Sequence, residues 1–302
     1  MLINISGRTD IINYYSQWMF KRFDEGYVLS RNSLFPNSVR RYELTPEKAD
    51  CLLFGSKNFA PVLGRIHEIT ERFPTYFNYT ITAYGKDIEP GVPDIDASID
   101  TFLSLAKIVG PQRMAWRYDP ILLTEKYTVR CHLEAFDYIA GKLSGQFDRC
   151  IFSFVEMYSK HKTNLPELIP ITKAEMDQIA AGIGGIAAKR GFILQTCGPE
   201  EDYARYGIHT SGCVTLEMLG RANGLTFRNL KHKGCHCMES RDIGALNSCL
   251  NGCKYCYANK NAQLPRDNYA LHDPDSPLLI GHLKPTDRLE QGSQKSFLAK
   301  QK

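Results

Sequence analysis

The stretch 248–260 reads "SCLNGCKYCYANK" and carries Cys249, Cys253 and Cys256, with Tyr255 directly before the third cysteine. Cysteine thiolates bind zinc and iron–sulfur clusters, and the spacing CxxxCxxC lets one short loop turn three of them toward a common centre. A closed site uses four protein ligands. Three thiolates on a four-iron cluster leave one iron free to bind a small molecule, and the stretch therefore favours a metal site with an open position.

Four more cysteines precede this triplet within a short span of chain: Cys197, Cys213, Cys235 and Cys237. Four thiolates could close a second four-iron cluster with no open iron, or a zinc site that staples the segment. The triplet would need a fourth ligand, such as His232 or His236, to hold zinc, and this favours iron–sulfur there. A third reading is seven reduced thiols with no metal.

Charged residues follow several short apolar runs, at the positions where strands of a sheet would end. We expect these residues to bind and orient a substrate: Arg8, Asp10, Lys57, Arg117, Asp119 and Glu156. In a β/α barrel the site lies at the carboxyl ends of the strands, where such side chains converge. With Arg31, the cations would form a cationic cavity suited to a carboxylate or a phosphate.

The elements that must position these residues alternate along the chain. The apolar runs 2–6, 27–31, 50–56, 77–84, 114–118, 150–157 and 192–197 predict buried parallel strands. Helical spacing of apolar residues separates them, as in 12–23, 62–73 and 95–106, and Thr172 with Glu175 forms a capping box before another helix. The pattern predicts an α/β fold, a (β/α) TIM-like barrel over 1–228, with an open doubly wound sheet as the alternative.

Beyond residue 228 the composition shifts to Cys, Gly, Asn and Lys. We interpret residues 229–302 as a cysteine-rich iron–sulfur cap followed by a C-terminal tail. The chain of 302 residues has a net charge of +4 and no basic stripe, which counts against a nucleic-acid partner. No signal peptide or membrane span is recognisable, and we expect a cytoplasmic protein with no membrane partner.

CxxxCxxC with an aromatic residue before the last cysteine resembles the signature of radical S-adenosylmethionine (SAM) enzymes. The whole chain is similar to a bacterial domain family of unassigned function with a C-terminal, radical-SAM-like cysteine cluster. The matching stretches are "SGRTDI", "SKN", "WRYDPI", "CHCMESRDIG" and "CLNGCKYCYAN". In contrast to the common radical SAM pattern, the triplet lies near the C-terminus, and no Gly-Gly-Glu-like segment follows a second strand.

The resemblance implies a catalytic 4Fe-4S cluster at the triplet; from their number, we expect the other four cysteines to hold an auxiliary 4Fe-4S cluster, with zinc as the alternative there. It implies SAM on the open iron near Tyr255, cleavage to a 5′-deoxyadenosyl radical, and an electron donor such as ferredoxin or flavodoxin. The expected function is a radical-SAM-like enzyme acting on a small, anionic substrate. The alternative is a metal-stapled binding protein, with zinc or iron–sulfur and without radical chemistry.

Overall fold

The structure is a computed structural model that describes residues 1–197, 203–228 and 238–299. Its largest element is an eight-stranded sheet in which all seven pairings are parallel. In spatial order the strands are β10 (Ser240–Asp242), β1 (Leu2–Asn4), β4 (Cys51–Ser56), β5 (Thr75–Thr80), β6 (Met114–Ile121), β7 (Arg149–Phe154), β8 (Ile193–Thr196) and β9 (His209–Thr210). The prediction of an α/β fold with parallel strands is confirmed.

Helices lie between the strands of this sheet along the chain, except for the last helix, which follows β10. They are α1 (Ile11–Tyr14), α2 (Ser16–Glu25), α3 (His67–Thr70), α4 (Ile95–Val109), α5 (Val129–Leu143), α6 (His161–Asn164), α7 (Lys173–Arg190), α8 (Leu216–Asn223) and α9 (Leu264–Tyr269). The capping box predicted before α7 is present, since the Thr172 hydroxyl and the Glu175 carboxylate satisfy backbone N–H groups reciprocally. None of the helices in the described part of the chain is long and apolar enough to cross a membrane.

A second sheet contains three strands, β11 (Arg288–Gln291), β3 (Ser38–Glu43) and β2 (Tyr27–Arg31). The run 27–31 was predicted as a barrel strand, and this is wrong. It pairs antiparallel with β3, which sequence reasoning missed because only Val39 and Tyr42 of that strand are buried. The second strand of the large sheet along the chain is therefore β4.

Two predicted helices are interrupted. The apolar pattern over 12–23 divides between α1 and α2 at Tyr15, whose backbone leaves the helical region. The pattern over 62–73 forms a 3₁₀ turn at Ala60–Val62 and the short α3, joined by further turns. Periodicity reports which side chains face the core, and turns can satisfy it as well as a continuous helix does.

The cysteine-rich segment also contributes to the large sheet, because β10 pairs with β1. Residues 229–237 lie outside the described residues, and with them the predicted ligands Cys235 and Cys237. Between β10 and β9, at the two ends of the strand order, the described residues show no pairing. Within these limits the fold is a large, parallel α/β sheet.

Alternation along the strands sorts residues between two faces of the large sheet. Phe54, Phe77 and Trp116 belong to the main core, which includes the helices, whereas Leu53 and Ala115 pack in a separate cluster on the other face. Farther along that second face the residues become polar or small: Asn4, Gly55, Asn78, Arg117 and Ser153. Because side chains alternate with period two, this change places polar groups together at the carboxyl end.

Candidate functional site

A cavity of about 670 Å³ opens at the carboxyl end of the parallel strands. Its wall includes all six charged residues expected to bind substrate: Arg8, Asp10, Lys57, Arg117, Asp119 and Glu156. It also includes Tyr255 and five of the seven predicted ligands, namely Cys249, Cys253, Cys256, Cys197 and Cys213. The structure therefore brings all of these predicted residues into one space, whereas Arg31, which was expected to add to the cationic cavity, lies elsewhere.

The loop carrying the triplet is fastened to the sheet by backbone contacts on two sides. Gly91 N donates to the Asn251 carbonyl over 2.8 Å, and Lys254 N donates to the Ile88 carbonyl over 3.1 Å. A Cβ on Gly91 would lie 2.8 Å from backbone atoms of Asn251, so this approach requires glycine. The loop is held between the three cysteines as well as at its ends.

Side chains from other segments also donate hydrogen bonds to backbone carbonyls of this loop. The Tyr15 hydroxyl donates to the Ser248 carbonyl over 2.6 Å, and His161 Nε2 donates to the Tyr255 carbonyl over 3.2 Å. Past the third cysteine, Lys160 Nζ donates to the carbonyl of Tyr257 over 2.8 Å. These bonds shape the loop through protein contacts alone.

Asp10 anchors the triplet loop to the first strand–helix connection. Its carboxylate accepts hydrogen bonds from Asn251 Nδ2 at 2.9 Å and Ser56 Oγ at 2.6 Å. It also accepts from the backbone N–H groups of Lys57 and Asn13. Burial raises the pKa of Asp10, and these four donors oppose that rise. The Asp10 oxygens are thus engaged by the protein, and this residue positions the loop.

Lys57 lies in a buried cluster beside Cys253. Its Nζ donates to Glu89 Oε1 over 2.9 Å, and the Tyr255 hydroxyl and Thr82 Oγ1 donate to the same oxygen. Burial alone would lower the pKa of Lys57, but the Glu89 carboxylate and Cys253 raise it above its usual value. A cation is therefore held next to one thiol of the triplet.

Arg117 and Asp119 form an ion pair on the floor of the cavity, by which we mean the part of its wall that the large sheet forms. An Nη of Arg117 donates to Asp119 over 2.5 Å, and Ser153 Oγ donates to the other oxygen of that carboxylate. Burial would lower the pKa of Arg117, but Asp119, Cys213 and Cys197 raise it. The guanidinium stays charged, and its Nε–H has no hydrogen-bond partner.

The remaining charged residues lie toward the rim. Arg8 faces the buried Asp242 carboxylate, whose pKa burial raises and Arg8 lowers. Glu156 accepts a hydrogen bond from the Tyr158 hydroxyl. Arg31, expected to add to a cationic cavity, lies in the small sheet instead and pairs with Asp287. The charged wall contains three cations and three carboxylates, so it is balanced in formal charge.

The three cysteines of the triplet line the cavity, Cys249 from a buried position and Cys253 and Cys256 from half-buried ones. Burial raises the pKa of Cys249 to about 12, and it raises the pKa of Cys253 well above the usual value. Glu89 raises the pKa of Cys253 further, whereas Lys57 lowers it. Among the described residues, no group of three or more His, Cys, Asp or Glu side chains has an arrangement that could hold a metal ion.

Cys197 and Cys213 line another part of the same cavity and pack against an apolar cluster that includes Met218 and Leu219. Cys197 directly follows β8, as the sequence predicts. Gln195 supports the neighbourhood of Cys213, since its Nε2 donates to the Gly212 carbonyl over 2.6 Å. The other two predicted ligands, Cys235 and Cys237, lie outside the described residues.

Sequence reasoning missed Glu89, Asn251 and Asn78. Nothing in "DIEPG" singles out Glu89, because its role depends on Lys57 and Tyr255, which are distant in the chain. Asn251 falls between two ligand cysteines, and its contact with Asp10 is equally nonlocal. Asn78 did leave a signal, as a polar residue inside the apolar run "FNYTITAY".

Comparison with protein-family models gives one match, to a family described as a domain of unknown function (DUF1848), over residues 2–258. The matched region contains the whole cysteine triplet and all eight strands of the large sheet. No curated protein and no solved structure matches the chain.

Proposed function

The chain belongs to the DUF1848 family, and from this premise we propose that it is an iron–sulfur enzyme of the radical-SAM-like kind. The observation that carries the proposal is the shared cavity. Three thiols with the CxxxCxxC spacing line one cavity at the carboxyl end of the parallel strands. Three cationic and three carboxylate side chains line the same cavity. Enzymes built on such sheets place their chemistry at this end.

The donor set fits a cluster. In a four-iron cluster each cysteine binds a different iron, so the three thiols must face one space and need not surround a single ion. Cys249, Cys253 and Cys256 would hold it. The chemistry that such a cluster supplies when bound is reductive cleavage of SAM to a 5′-deoxyadenosyl radical, which removes a hydrogen atom from a substrate. The raised pKa values of Cys249 and Cys253 mean that these thiols lose protons when they bind metal.

The protein's own residues position and shield this space. Asp10 and Asn251 fix the loop between the first two cysteines. Lys57, held by Glu89, places a positive charge beside Cys253, and Tyr255 covers the same corner with a buried ring. Arg117 and Asp119 orient a small-molecule substrate on the floor.

The proposal extends to the rest of the site. Cys197, Cys213, Cys235 and Cys237 would bind a second, auxiliary 4Fe-4S cluster, and a reduced donor such as ferredoxin or flavodoxin would supply the electron. We further propose that the large sheet closes into a TIM-like barrel, with residues 229–302 forming its cysteine-rich cap. Seven thiols kept reduced for metal suit a cytoplasmic protein.

The test is to purify the full chain without oxygen, measure iron, sulfide and zinc, and add dithionite and SAM. Two four-iron clusters give about eight irons per chain, and cleavage gives 5′-deoxyadenosine. Cys253→Ala should abolish cleavage. Cys131→Ala, the same change at a half-buried helix position outside the cavity, serves as the matched control. About one or two zinc ions with no iron and no cleavage would favour the metal-stapled binding protein.

A further inference from the structure

The floor of the cavity holds buried polar atoms that the protein leaves without partners. Ten buried side-chain nitrogen or oxygen atoms of the described residues have no hydrogen-bond partner. Three of these belong to residues of this one cavity: Ser6 Oγ, Asn78 Oδ1 and Arg117 Nε. Asn78 is 6% exposed, and its Oδ1 accepts no hydrogen bond from any described residue. Buried polar groups are normally satisfied, so three orphans on one wall indicate a place for a ligand.

These residues belong to, or directly follow, neighbouring strands of the large sheet. Ser6 follows β1, Gly55 lies in β4, Asn78 in β5 and Arg117 in β6, and the order β1-β4-β5-β6 is that of the sheet. Gly55 pairs with Asn78 in register, and Thr80 pairs with Arg117. Gly55 and Asn78 therefore lie at one level of the sheet, and Arg117 lies on the same face two residues farther toward the carboxyl end, opposite Thr80. We call Ser6, Gly55, Asn78 and Arg117 the floor row, which offers a hydroxyl, a gap, an amide and a guanidinium.

The gap is open because Gly55 has no side chain. A Cβ built on Gly55 would lie 3.6 Å from the Ser6 carbonyl oxygen, which is ordinary van der Waals contact, with no other atom among its near neighbours. The fold thus tolerates a methyl group at this position. Such a methyl group would occupy the floor between Ser6 and Asn78.

The charges around the row limit what can bind there. Arg117 is already neutralised by Asp119, and Lys57 by Glu89. A phosphate brings more negative charge than this wall offsets, and a purely apolar acid would leave Asn78 Oδ1 and Ser6 Oγ unsatisfied. A single carboxylate matches the Arg117 Nε–H, and a hydroxyl or ammonium donor matches the Asn78 oxygen.

We propose that this row is the site for the polar head of a small hydroxy or amino carboxylate. The head lies on the floor, with its carboxylate on Arg117 and its hydroxyl or ammonium group on Asn78 and Ser6. The rest of the molecule extends toward the cysteine triplet in the same cavity. That this molecule is the substrate rests on the proposed function, whereas its binding does not.

The experiment measures binding of small probes to the anaerobically purified full chain by ligand-observed NMR at millimolar concentration. The probes are D-glycerate and L-serine, compared with propionate, which lacks the donor groups, and with inorganic phosphate. We expect glycerate or serine to bind at least tenfold more tightly than propionate or phosphate. Equal or tighter binding of phosphate or propionate would overturn the proposal.

Variants separate the floor from the rest of the site. Gly55→Ala and Asn78→Leu should each weaken binding of the preferred probe at least tenfold. Gly64→Ala, which adds a methyl group where no atom lies within 4 Å, should leave binding unchanged. Gly55→Ala keeps the test valid if Asn78→Leu fails to fold. Probe binding that survives both floor variants, or no binding of either probe to the wild-type chain, contradicts the inference.

The same assay distinguishes this inference from the proposed function. Cys253→Ala removes a ligand of the proposed cluster without touching the floor, so it should keep probe binding while losing SAM cleavage. A wild-type chain that binds glycerate or serine but contains no iron would refute the proposed function and leave the floor site intact. A chain that cleaves SAM but binds no probe would do the reverse.

Discussion

The two cysteine groups of the cavity are held in different ways. The triplet loop is fixed by hydrogen bonds to the buried side chains of Asp10 and Tyr15 and to the backbone N–H of Gly91. Cys197 and Cys213 rest against an apolar cluster that fills the other face of the sheet below the cavity. Polar protein contacts thus shape the triplet loop, whereas Cys197 and Cys213 pack against the apolar cluster that includes Met218 and Leu219.

This difference indicates different roles. Groups that take part in chemistry must be held in place by their surroundings, and the triplet has such support together with neighbouring charges at Lys57 and Glu89. A structural metal site can instead supply the order of its own segment. Under the proposed function, the triplet carries out the reaction chemistry, and the second group fastens its segment or transfers an electron.

The largest expected effect comes from replacing one cysteine of each group with alanine, in separate variants. Cys253→Ala should reduce SAM cleavage by roughly a thousandfold or more, because loss of a direct ligand exceeds the 10–100-fold cost typical of supporting residues. Cys213→Ala should lower the iron content and retain cleavage within about tenfold of wild type. The measurement is 5′-deoxyadenosine formed per chain. Equal losses of SAM cleavage in the two variants would contradict different roles for the two cysteine groups.

The second prediction concerns His132, which supports the triplet side through aromatic contacts with Tyr84 and, beyond it, Tyr255. His132 Nε2 donates to the Leu122 carbonyl over 2.8 Å, and Nδ1 accepts from the Tyr118 hydroxyl over 2.9 Å. A neutral imidazole ring with its proton on Nε2 satisfies both of these hydrogen bonds. Burial lowers the pKa of His132 from 6.5 to about 4, so the unfolded chain takes up the proton more readily than the folded chain does.

The free energy of unfolding should therefore be fully retained above about pH 6.5 and fall as the pH drops toward 4, by about 3 kcal/mol in total. Urea denaturation of the metal-free chain between pH 7.5 and 4 measures this fall. His132→Gln keeps an uncharged donor and acceptor and should show a shallower decline over the same range. If the free energy of unfolding fell equally with pH in the two proteins, His132 would not be the cause of the fall.

The third prediction uses the close approach of two loops. Gly91→Ala places a methyl group 2.8 Å from backbone atoms of Asn251 and 2.9 Å from the Leu250 carbonyl oxygen, so the triplet loop must shift. Overpacking of this kind costs about 1–3 kcal/mol, and SAM cleavage should fall with it. Thermal unfolding and cleavage assays test this, with Gly64→Ala as the control. Unchanged cleavage in Gly91→Ala would show that the loop position is not critical.

The smallest effects are expected from replacing two buried amide side chains, one beside each cysteine group. Asn251, 4% exposed, bonds to Asp10, and Gln195, 0% exposed, bonds to the Gly212 carbonyl next to Cys213. Replacing either with Ala leaves buried partners unsatisfied, at about 1–2 kcal/mol of stability. Asn251→Ala should also weaken SAM cleavage, and Gln195→Ala should lower the iron content with cleavage retained. Iron content and 5′-deoxyadenosine yield measure the two effects, and the opposite pattern would reverse the assigned roles.

Local patterns predicted those parts of the fold that local forces determine. The capping box at Thr172, the helix α4 and most parallel strands follow from spacing alone, and the strand-end rule found the six charged wall residues. The pairing of 27–31 with β3 and of β10 with β1 depends on long-range contacts that no window of sequence contains. Glu89 and the unpartnered floor atoms emerged only from the three-dimensional arrangement, for the same reason.

The most direct test of the central claim is the electron paramagnetic resonance spectrum of the dithionite-reduced, anaerobic Cys213→Ala protein, recorded with and without SAM. This variant lacks one ligand of the second group and keeps the triplet intact. The account predicts an iron–sulfur signal that changes when SAM is added and is missing when Cys253 is also replaced with Ala. A signal that is the same with and without SAM, or one that persists without Cys253, would contradict an open metal site at the triplet.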